Sequence, residues 1–523
     1  MEEQQSALVR LDGFGPFQPL VARAHRFYID GMSDEAVRAC REALPLAQAA
    51  GDGASVRFLR YVEGVALLES GRRRSAVSAA MDLLDELAVD DEAEWRAKGL
   101  ALLAESAAAS GELNRALDAL AEAVWQVPRL ARGSYNAMSA RMAVAIALRE
   151  VYLYEEAEAL LTTLWETDVD DVEVHRAQEC AALYARWGAT LELVGDGAGA
   201  RTRFVRCAQE ARRMSRHATR LGDVELCARA DVLEAFAMSR LGERALAAAR
   251  VRGVENAFRL RDELVETQLR WLVLGGELLE AGDYVAAREP LTAAYEGARS
   301  AHRDVWMATA MNAVADAYVG ELGKHPAVGI WKAMAREGFA RSWGERESRF
   351  AALTDRQRLW ELTEEHQRVG REVLADPLTG LGNRRALTEA VSRAGERMCA
   401  VFVDIDRFKD VNDVYSHAVG DSVLLEMADI LRQHCRAGDT VIRYGGDEFV
   451  VLVTDDGVEA ADDIAHRLLH AVRDHDWQRL HPGLEITVSL GVARAADPDD
   501  ALTAADQAML AAKRAGRDRV VIS

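Results

Sequence analysis

Three acidic side chains in the last third of the chain could hold a divalent cation. Asp404 lies near the end of an apolar run at 398–406, and Asp447 and Glu448 directly follow a glycine pair at 445–446. Mg²⁺ takes a few carboxylate oxygens and leaves its other positions to water and substrate phosphates. A glycine pair lets the backbone turn tightly and approach a polyphosphate without a Cβ in the way. We therefore expect a metal-assisted nucleotide site where these residues meet.

Two basic side chains near the C-terminus complete this set. Lys513 and Arg517 are four residues apart, so they share a helix face or its end and could neutralise terminal phosphates. Each cluster alone is also typical of a solvated surface. Only the combination of the acidic and basic clusters favours a catalytic site.

The elements that must position these residues begin after Pro377. Apolar runs that read as buried strands alternate there with amphipathic stretches. The strands are expected at 398–406, 449–453, 486–493 and 519–523, and the helices at 384–395, 420–436, 458–473 and 499–515. Such alternation predicts one compact α/β or α+β domain of roughly 150 residues.

Four ordered motifs in this region resemble the GGDEF domain, the catalytic domain of diguanylate cyclases. They are DPLTGLGNRRAL (376–387), DIDRFKDVNDVYSHAVGDSVL (404–424), RYGGDEF (443–449) and ADQAMLAAKRAGRDRV (505–520). The resemblance implies an α+β fold with a central antiparallel sheet flanked by helices, similar to nucleotidyl cyclases and polymerase palms. It also implies a reaction that joins two GTP molecules into cyclic di-GMP and releases two pyrophosphates.

The resemblance assigns roles to individual residues. Asp404, Asp447, Glu448 and the Ile405 carbonyl match the metal ligands, and the implied cofactor is two Mg²⁺ per active site, with Mn²⁺ as the alternative ion. Asp447, Glu448 and Lys513 are the residues expected to be catalytic, and Asp447 also matches a position proposed to accept the proton of the attacking 3′-hydroxyl. The implied substrate-binding residues are Phe408, Lys409, Asn412, His417, Asp421, Lys513 and Arg517.

Guanine recognition is assigned by the same resemblance to Asn412 and Asp421. A carboxylate accepts hydrogen bonds from guanine N1–H and N2–H₂, a donor pair that adenine lacks, so Asp421 favours GTP over ATP. Each domain offers one GTP site, and the attacking 3′-hydroxyl must come from GTP on a second domain. Catalysis is therefore expected to require a homodimer.

An inhibitory product site is also implied. Arg436 and Asp439 form an RxxD motif, separated by five residues from Gly445, which matches the family's site in sequence and offset; Arg467 is a secondary contributor. An Arg side chain binds phosphate bidentately or stacks on guanine, while Asp can hold a guanine edge. Three positions depart from the family pattern: Ser416 replaces the usual Gly, Leu510 the common Tyr and Asp518 the common Asn.

Upstream, a short phrase recurs with a period near 40 residues. A small or turn residue is followed five positions later by an alanine within an apolar run; the alanines are Ala36, Ala76, Ala116, Ala157, Ala200, Ala247 and Ala287. The phrases resemble the tetratricopeptide family of helical hairpins in a lengthened form, over roughly residues 15–335. The resemblance implies an all-α solenoid whose concave groove takes a protein or peptide partner. The alternative is an irregular all-helical domain whose alanines merely pack.

These patterns predict a solenoid for sensing or interaction at 1–340, a connecting helix at 341–375 and a GGDEF domain at 376–523. Four apolar residues of the connecting helix could form one seam that three polar residues interrupt, so a coiled coil is not established. The apolar residues are Phe350, Leu353, Trp360 and Leu374, and the polar ones are Gln357, Glu364 and Arg371.

Composition argues against several classes of binding partner and structural site. The net charge of −21 argues against binding to nucleic acid or to an anionic membrane. The chain has no apolar run of 18 residues, and its first residues lack the features of a signal peptide, so we expect a cytoplasmic protein without a membrane span. Six scattered cysteines without CxxC spacing argue against a disulfide framework or a structural zinc site.

Three hypotheses from different classes follow. The leading one is a Mg²⁺-dependent, dimeric diguanylate cyclase that is product-inhibited and regulated by its repeats. The second is a catalytically weak GGDEF receptor that binds GTP or cyclic di-GMP and signals through the repeats to a protein partner. The third is a scaffold with a vestigial enzyme. The complete set of acidic and basic residues counts against the last two.

Overall fold

The computed structural model describes residues 17–87, 93–130, 135–162, 170–258, 264–393, 398–436, 438–453, 457–495 and 497–523. The chain divides into two compact units, Met1–Trp360 and Glu361–Ser523. One helix, Arg346–Leu374, runs from the first unit into the second.

The first unit is helical throughout its described part, and the prediction of an all-α N-terminal region is confirmed. Its helices are α1 Gln18–Ile29, α2 Ser33–Ala49, α3 Gly53–Glu69, α4 Arg73–Glu86, α5 Ala93–Ala109, α6 Leu113–Gln126, α7 Tyr135–Glu150, α8 Tyr154–Thr162, α9 Asp170–Val194, α10 Gly197–Leu221, α11 Val224–Leu241, α12 Arg244–Gly253, α13 Val265–Glu280, α14 Tyr284–Ser300, α15 Asp304–Leu322 and α16 Pro326–Gly344. The helix that leaves the unit, Arg346–Leu374, is α17.

The recurring phrase forms the turns of seven consecutive helical hairpins, from α1/α2 to α13/α14. Its first residue has a left-handed backbone in every copy, with φ between 67° and 101°. Six of these residues are glycines, for which that conformation carries no steric cost, and the seventh is Tyr152. The alanine of each phrase is at most 1% exposed, so its small side chain lets the paired helices approach closely.

The array of hairpins returns on itself. The Arg229 guanidinium on α11 donates a hydrogen bond to the Ile29 carbonyl at the end of α1, at 2.8 Å. Arg303, just before α15, forms an ion pair with Glu69 at the end of α3. These contacts join residues 200 and 234 positions apart. The first two hairpins therefore lie against α11 and the start of α15.

The first half of α17 packs on the hairpins. Leu353 is only 2% exposed and belongs to the main hydrophobic core of the helical unit. The Trp360 ring lies 5.9 Å from the ring of Trp125 on α6, measured between centroids. Of the predicted seam residues, these two therefore face the hairpins, whereas Phe350 is 46% exposed.

The second unit is a five-stranded mixed sheet with helices on both faces, so the α+β prediction is confirmed. Its helices are α18 Arg384–Arg393, α19 Phe408–Tyr415, α20 His417–His434, α21 Gly457–Asp474 and α22 Pro498–Arg514, and its strands are β1 Met398–Ile405, β2 Thr440–Gly445, β3 Glu448–Val453, β4 Val488–Ala495 and β5 Arg519–Ile522. The strand order is β2-β3-β1-β4-β5. The first three neighbouring pairs are antiparallel, and β4–β5 is parallel because α22 provides the crossover between them.

The central strand β1 is apolar along its length because both of its faces are covered. Val401 and Val403 pack in the core that contains α20 and α21, and Ala400 and Phe402 pack in the core that contains α22. The strand therefore delivers Asp404 to a fixed position next to β3.

No helix in the described part of the chain is long and apolar enough to cross a membrane.

Candidate functional site

The three predicted acidic residues meet at one edge of the sheet. Asp404, at the carboxyl end of β1, is directly opposite Glu448, the first residue of β3. The Ile405 amide donates a hydrogen bond to the Asp447 carbonyl at 3.3 Å, which ties the β2–β3 turn to β1. Strand pairing alone thus brings together residues that are more than 40 positions apart in the sequence.

A basic residue from the last helix reaches the same point. The Lys513 ammonium lies 2.5 Å from an oxygen of Asp404, a residue that is only 4% exposed. The pKa of Asp404 is raised to about 6. Burial is the main cause, the Lys513 ammonium opposes the rise, and the charges of Asp447 and Glu448 add to it. Burial and the charge of Asp447 also raise the pKa of Glu448. The site therefore gathers acids that oppose one another's ionisation.

Such a donor set fits a divalent cation, because the cation would relieve the repulsion between the carboxylates. Among the residues that the structure describes, no group of three or more His, Cys, Asp or Glu side chains is arranged to hold a metal ion. Lys513 instead supplies the positive charge beside Asp404. The assignment of Asp404, Asp447 and Glu448 as metal ligands therefore stays a prediction.

Asp406 is a buried carboxylate that the sequence analysis did not single out. One of its oxygens accepts hydrogen bonds from the Thr487 hydroxyl at 2.8 Å and the Asp518 amide at 3.1 Å, and the other from the Ser489 hydroxyl at 2.7 Å. It lies 3.9 Å from the guanidinium of Arg517. Asp406 therefore fixes the turn between α22 and β5 that carries Arg517. The DxD spacing at 404–406 was the available signal, since residues i and i+2 of a strand share one face.

The glycine pair before the acids is held by a basic residue on β2. The Arg443 guanidinium donates to the Gly446 carbonyl at 3.0 and 2.8 Å and to the Asp376 carboxylate at 3.0 Å. Gly446 has a φ of +45°. These bonds and the neighbouring Thr379 groups lower the pKa of Asp376, against the effect of burial. Arg443 thereby links the DPLTG motif to the GGDEF turn.

The two predicted guanine-reading residues are brought together by close contact between α19 and α20. A Cβ at Gly420 would lie 2.0 Å from the Asn412 side-chain oxygen, so only glycine allows this approach. Asp421 follows Gly420 and is exposed to solvent. Ser416, between the two helices, has φ 118° and ψ 160°, a region that essentially only glycine favours.

The remaining predicted substrate residues flank this corner. Phe408 and Lys409 begin α19, His417 begins α20, and Lys409 and His417 are exposed. Arg517 has a φ of +64° in the turn after α22, and 45% of its side chain is exposed. The assignment of these side chains to substrate binding stays a prediction.

The predicted product-site residues also converge. The Asp439 carboxylate accepts a hydrogen bond from the Arg436 amide at 2.8 Å, and the Asp439 amide donates to the Arg436 carbonyl at 3.0 Å. Arg467 on α21 donates to the His434 carbonyl at 3.1 and 2.5 Å. Burial and the charge of Asp439 raise the pKa of Cys435 to about 12, while Arg467 lowers it. Arg467 is therefore attached to the end of α20, next to the turn that carries Arg436 and Asp439.

The C-terminal unit is an α+β domain whose mixed sheet carries acids at a strand end, a glycine turn and a facing lysine. Residues 373–519 match the family described as "Diguanylate cyclase, GGDEF domain". The C-terminal unit is therefore a GGDEF domain, as the four motifs predict.

Named relatives agree with this assignment over the same part of the chain. Diguanylate cyclase DgcP of Pseudomonas aeruginosa is 39% identical over 163 residues, which are 29% of this chain and 24% of that protein. Diguanylate cyclase DgcZ of Escherichia coli is 40% identical over 152 residues, 28% of this chain and 51% of that protein. The chain thus spans between a quarter and about half the length of these curated relatives.

Solved structures match as well. The coiled coil and GGDEF domain of DgcB from Caulobacter crescentus, solved in complex with c-di-GMP, is 29% identical. The match covers 34% of this chain and 100% of that chain, with a TM-score of 0.30.

Proposed function

We propose that this protein is a diguanylate cyclase that condenses two GTP molecules into cyclic di-GMP. In each half-reaction, a 3′-oxygen forms a bond to the α-phosphorus of the other GTP, the bond to pyrophosphate breaks, and the 3′-hydroxyl proton is released. The observation that carries the proposal is the meeting of Asp404, Asp447, Glu448 and Lys513 at one sheet edge within a GGDEF domain.

The residues of the site have complementary tasks in this proposal. Asp404, Asp447 and Glu448 hold Mg²⁺ or Mn²⁺, which neutralises triphosphate charge when bound. Lys513 and Arg517 bind the phosphates, and Asp406 keeps the Arg517 turn in place. Because Lys513 already contacts Asp404, it is positioned to exchange this carboxylate for a phosphate oxygen when substrate arrives.

In this proposal, guanine is selected where α19 and α20 meet. Asn412 contacts Gly420, Asp421 is the next residue along α20, and the two side chains can pair with the guanine edge. The Arg436–Asp439 turn, with Arg467 beside it, is the proposed site of product inhibition.

The proposed catalytic form is a homodimer, because one domain binds only one GTP. Exposed apolar side chains on helix α17 offer a surface for this pairing. Leu359, Leu362 and Val373 are 64%, 59% and 45% exposed. Together with positions 366 and 369 they follow the alternating three- and four-residue spacing of a two-helix seam.

Asp447→Asn tests the proposed activity directly. The full chain with Mg²⁺ and GTP should release cyclic di-GMP, and the variant should lose activity by roughly 100-fold or more, because it removes a charged ligand without changing side-chain size. Product is quantified by chromatography. Asp463→Asn, an exposed acid on α21, is the matched control and should retain wild-type turnover.

The same experiment separates the competing hypotheses. A wild-type chain that binds cyclic di-GMP but makes none would favour the receptor. Full turnover in Asp447→Asn would contradict the assignment of the acidic site.

A further inference from the structure

A partly open cavity of about 190 Å³ lies in the helical unit, where α9, α11, α13 and α15 meet. Its wall includes the small residues Ala189, Gly276 and Ala313. A Cβ at Gly276 would come only into ordinary contact with the Ser239 hydroxyl oxygen, at 3.6 Å. Small residues on three helices therefore keep this space open.

Polar groups in the cavity lack protein partners. Ser239 is 6% exposed, and its hydroxyl makes no hydrogen bond to any residue within the described ranges. The Asn312 side-chain amide likewise has no hydrogen bond to a described residue. The Thr309 hydroxyl donates to the Val305 carbonyl at 2.8 Å, which leaves its oxygen able to accept. The Ser239 hydroxyl, the Asn312 amide and the Thr309 oxygen can therefore form hydrogen bonds with an occupant of the cavity.

The cavity carries charges of both signs. Glu192 and Arg240 form an ion pair at 3.4 Å that lacks hydrogen-bond geometry, so the donors of this guanidinium and the oxygens of this carboxylate can still bind a ligand. Arg244 and Asp316 lie at the edges and pair outward, with Glu280 at 3.3 Å and Lys332 at 2.5 Å. The four lining charges cancel, which favours a ligand that carries one charge of each sign.

The rest of the wall is apolar. Leu193 and Leu272 are 8% and 4% exposed, and Leu279 completes the surface. A dry cavity of about 150 Å³ holds benzene, so this one has room for a branched aliphatic group and a small polar head.

From these features we propose that the cavity binds a free amino acid with a branched aliphatic side chain. The α-carboxylate lies on Arg240, the α-ammonium on Glu192, and Ser239 and Asn312 supply the remaining hydrogen bonds. The aliphatic side chain packs on Leu193, Leu272 and Leu279. The site is separate from the nucleotide chemistry and depends on none of it.

Calorimetric titration of the full chain with L-leucine, L-isoleucine and L-valine tests the proposal. At least one should bind, and its analogue without the ammonium or without the carboxylate should bind at least tenfold more weakly, because either loss removes one of the two charge pairs with Arg240 and Glu192. For leucine the two analogues are 4-methylpentanoate and 3-methylbutylamine. Failure of all three amino acids to bind, or equal affinity for the analogues, would overturn the proposal.

Two variants place the ligand in the cavity. Arg240→Gln should weaken binding at least tenfold. Gly276→Leu should abolish it, because the new side chain fills the space while a better helix former replaces glycine within α13. The matched control is Arg252→Gln, which removes an exposed Arg–Glu pair between α12 and α13 and should leave the affinity unchanged. Binding that survives Gly276→Leu in a protein with unaltered melting would exclude this cavity.

Discussion

The buried Asp404 carboxylate destabilises the folded chain when it is ionised. Its pKa in the folded chain is about 6, above the ordinary value of 3.8, mainly because it is buried. Folding therefore favours the protonated form. The stability that Asp404 contributes is fully present below pH 3.8 and is lost as pH rises through 6. The total change is on the order of 3 kcal/mol.

Asp404→Asn should therefore become relatively more stable than the wild type as pH rises. Asparagine does not titrate, so the difference in melting temperature between wild type and variant should shift in favour of the variant from pH 4.5 to pH 8. Thermal unfolding followed by circular dichroism measures this shift. A difference that stays constant across the range would contradict the role of burial.

Ser416 carries backbone strain at the corner that holds the guanine-reading residues. Its φ of 118° and ψ of 160° are tolerated easily only by glycine. Ser416→Gly should raise the melting temperature, with a gain of about 1 kcal/mol, because relief of strain exceeds the added flexibility of the unfolded chain. Ser422→Gly on the neighbouring helix α20 should lower the melting temperature, because glycine destabilises a helix interior. Equal effects of the two changes would mean that the strain is absent.

At the scale of elements, α17 has two faces with different tasks. Leu353 and Trp360 pack on the hairpins, while Leu359 and Leu362 point to solvent. Hydrophobic residues therefore surround much of the helix, and the sequence alone could not decide which stripe serves the hairpins. The structure separates the two stripes by their contacts.

Leu362→Glu should weaken self-association of the full chain at least tenfold without lowering the melting temperature of the isolated subunit, because this side chain is 59% exposed. Sedimentation equilibrium measures the change. Leu246→Glu on α12 is the control, since Leu246 is 61% exposed and lies on another helix. The proposed seam is refuted if both variants associate like the wild type.

Local signals in the sequence were sufficient for much of the fold. The seven phrase positions are left-handed turns, their alanines are buried, and the motif acids follow β1 and the β2–β3 turn as expected. The hydrogen bonds of Asp406 were not predicted, because its partners Thr487 and Ser489 are more than 80 positions away. The helix boundary at Ser416 was also missed, since serine gives no sign of a glycine-like backbone.

At the scale of the whole helical unit, closure depends on contacts of the first two hairpins with α11 and the start of α15. Arg303→Glu should lower the melting temperature by disrupting the ion pair with Glu69 and creating repulsion, and Glu69→Arg combined with it should restore part of the loss. The coupling is expected to be about 1 kcal/mol, because the Glu69 side chain is 40% exposed. Strict additivity of the two changes would show that this pair does not hold the array closed.

The return of the array on itself also constrains how the protein is made. Glu69 and Arg303 are 234 residues apart, so the ribosome needs roughly 10–50 s after the first of them to deliver the second. During that interval the nascent first two hairpins expose surfaces whose final neighbours do not yet exist. Slowed translation of this segment should therefore prolong the time in which chaperones can bind it.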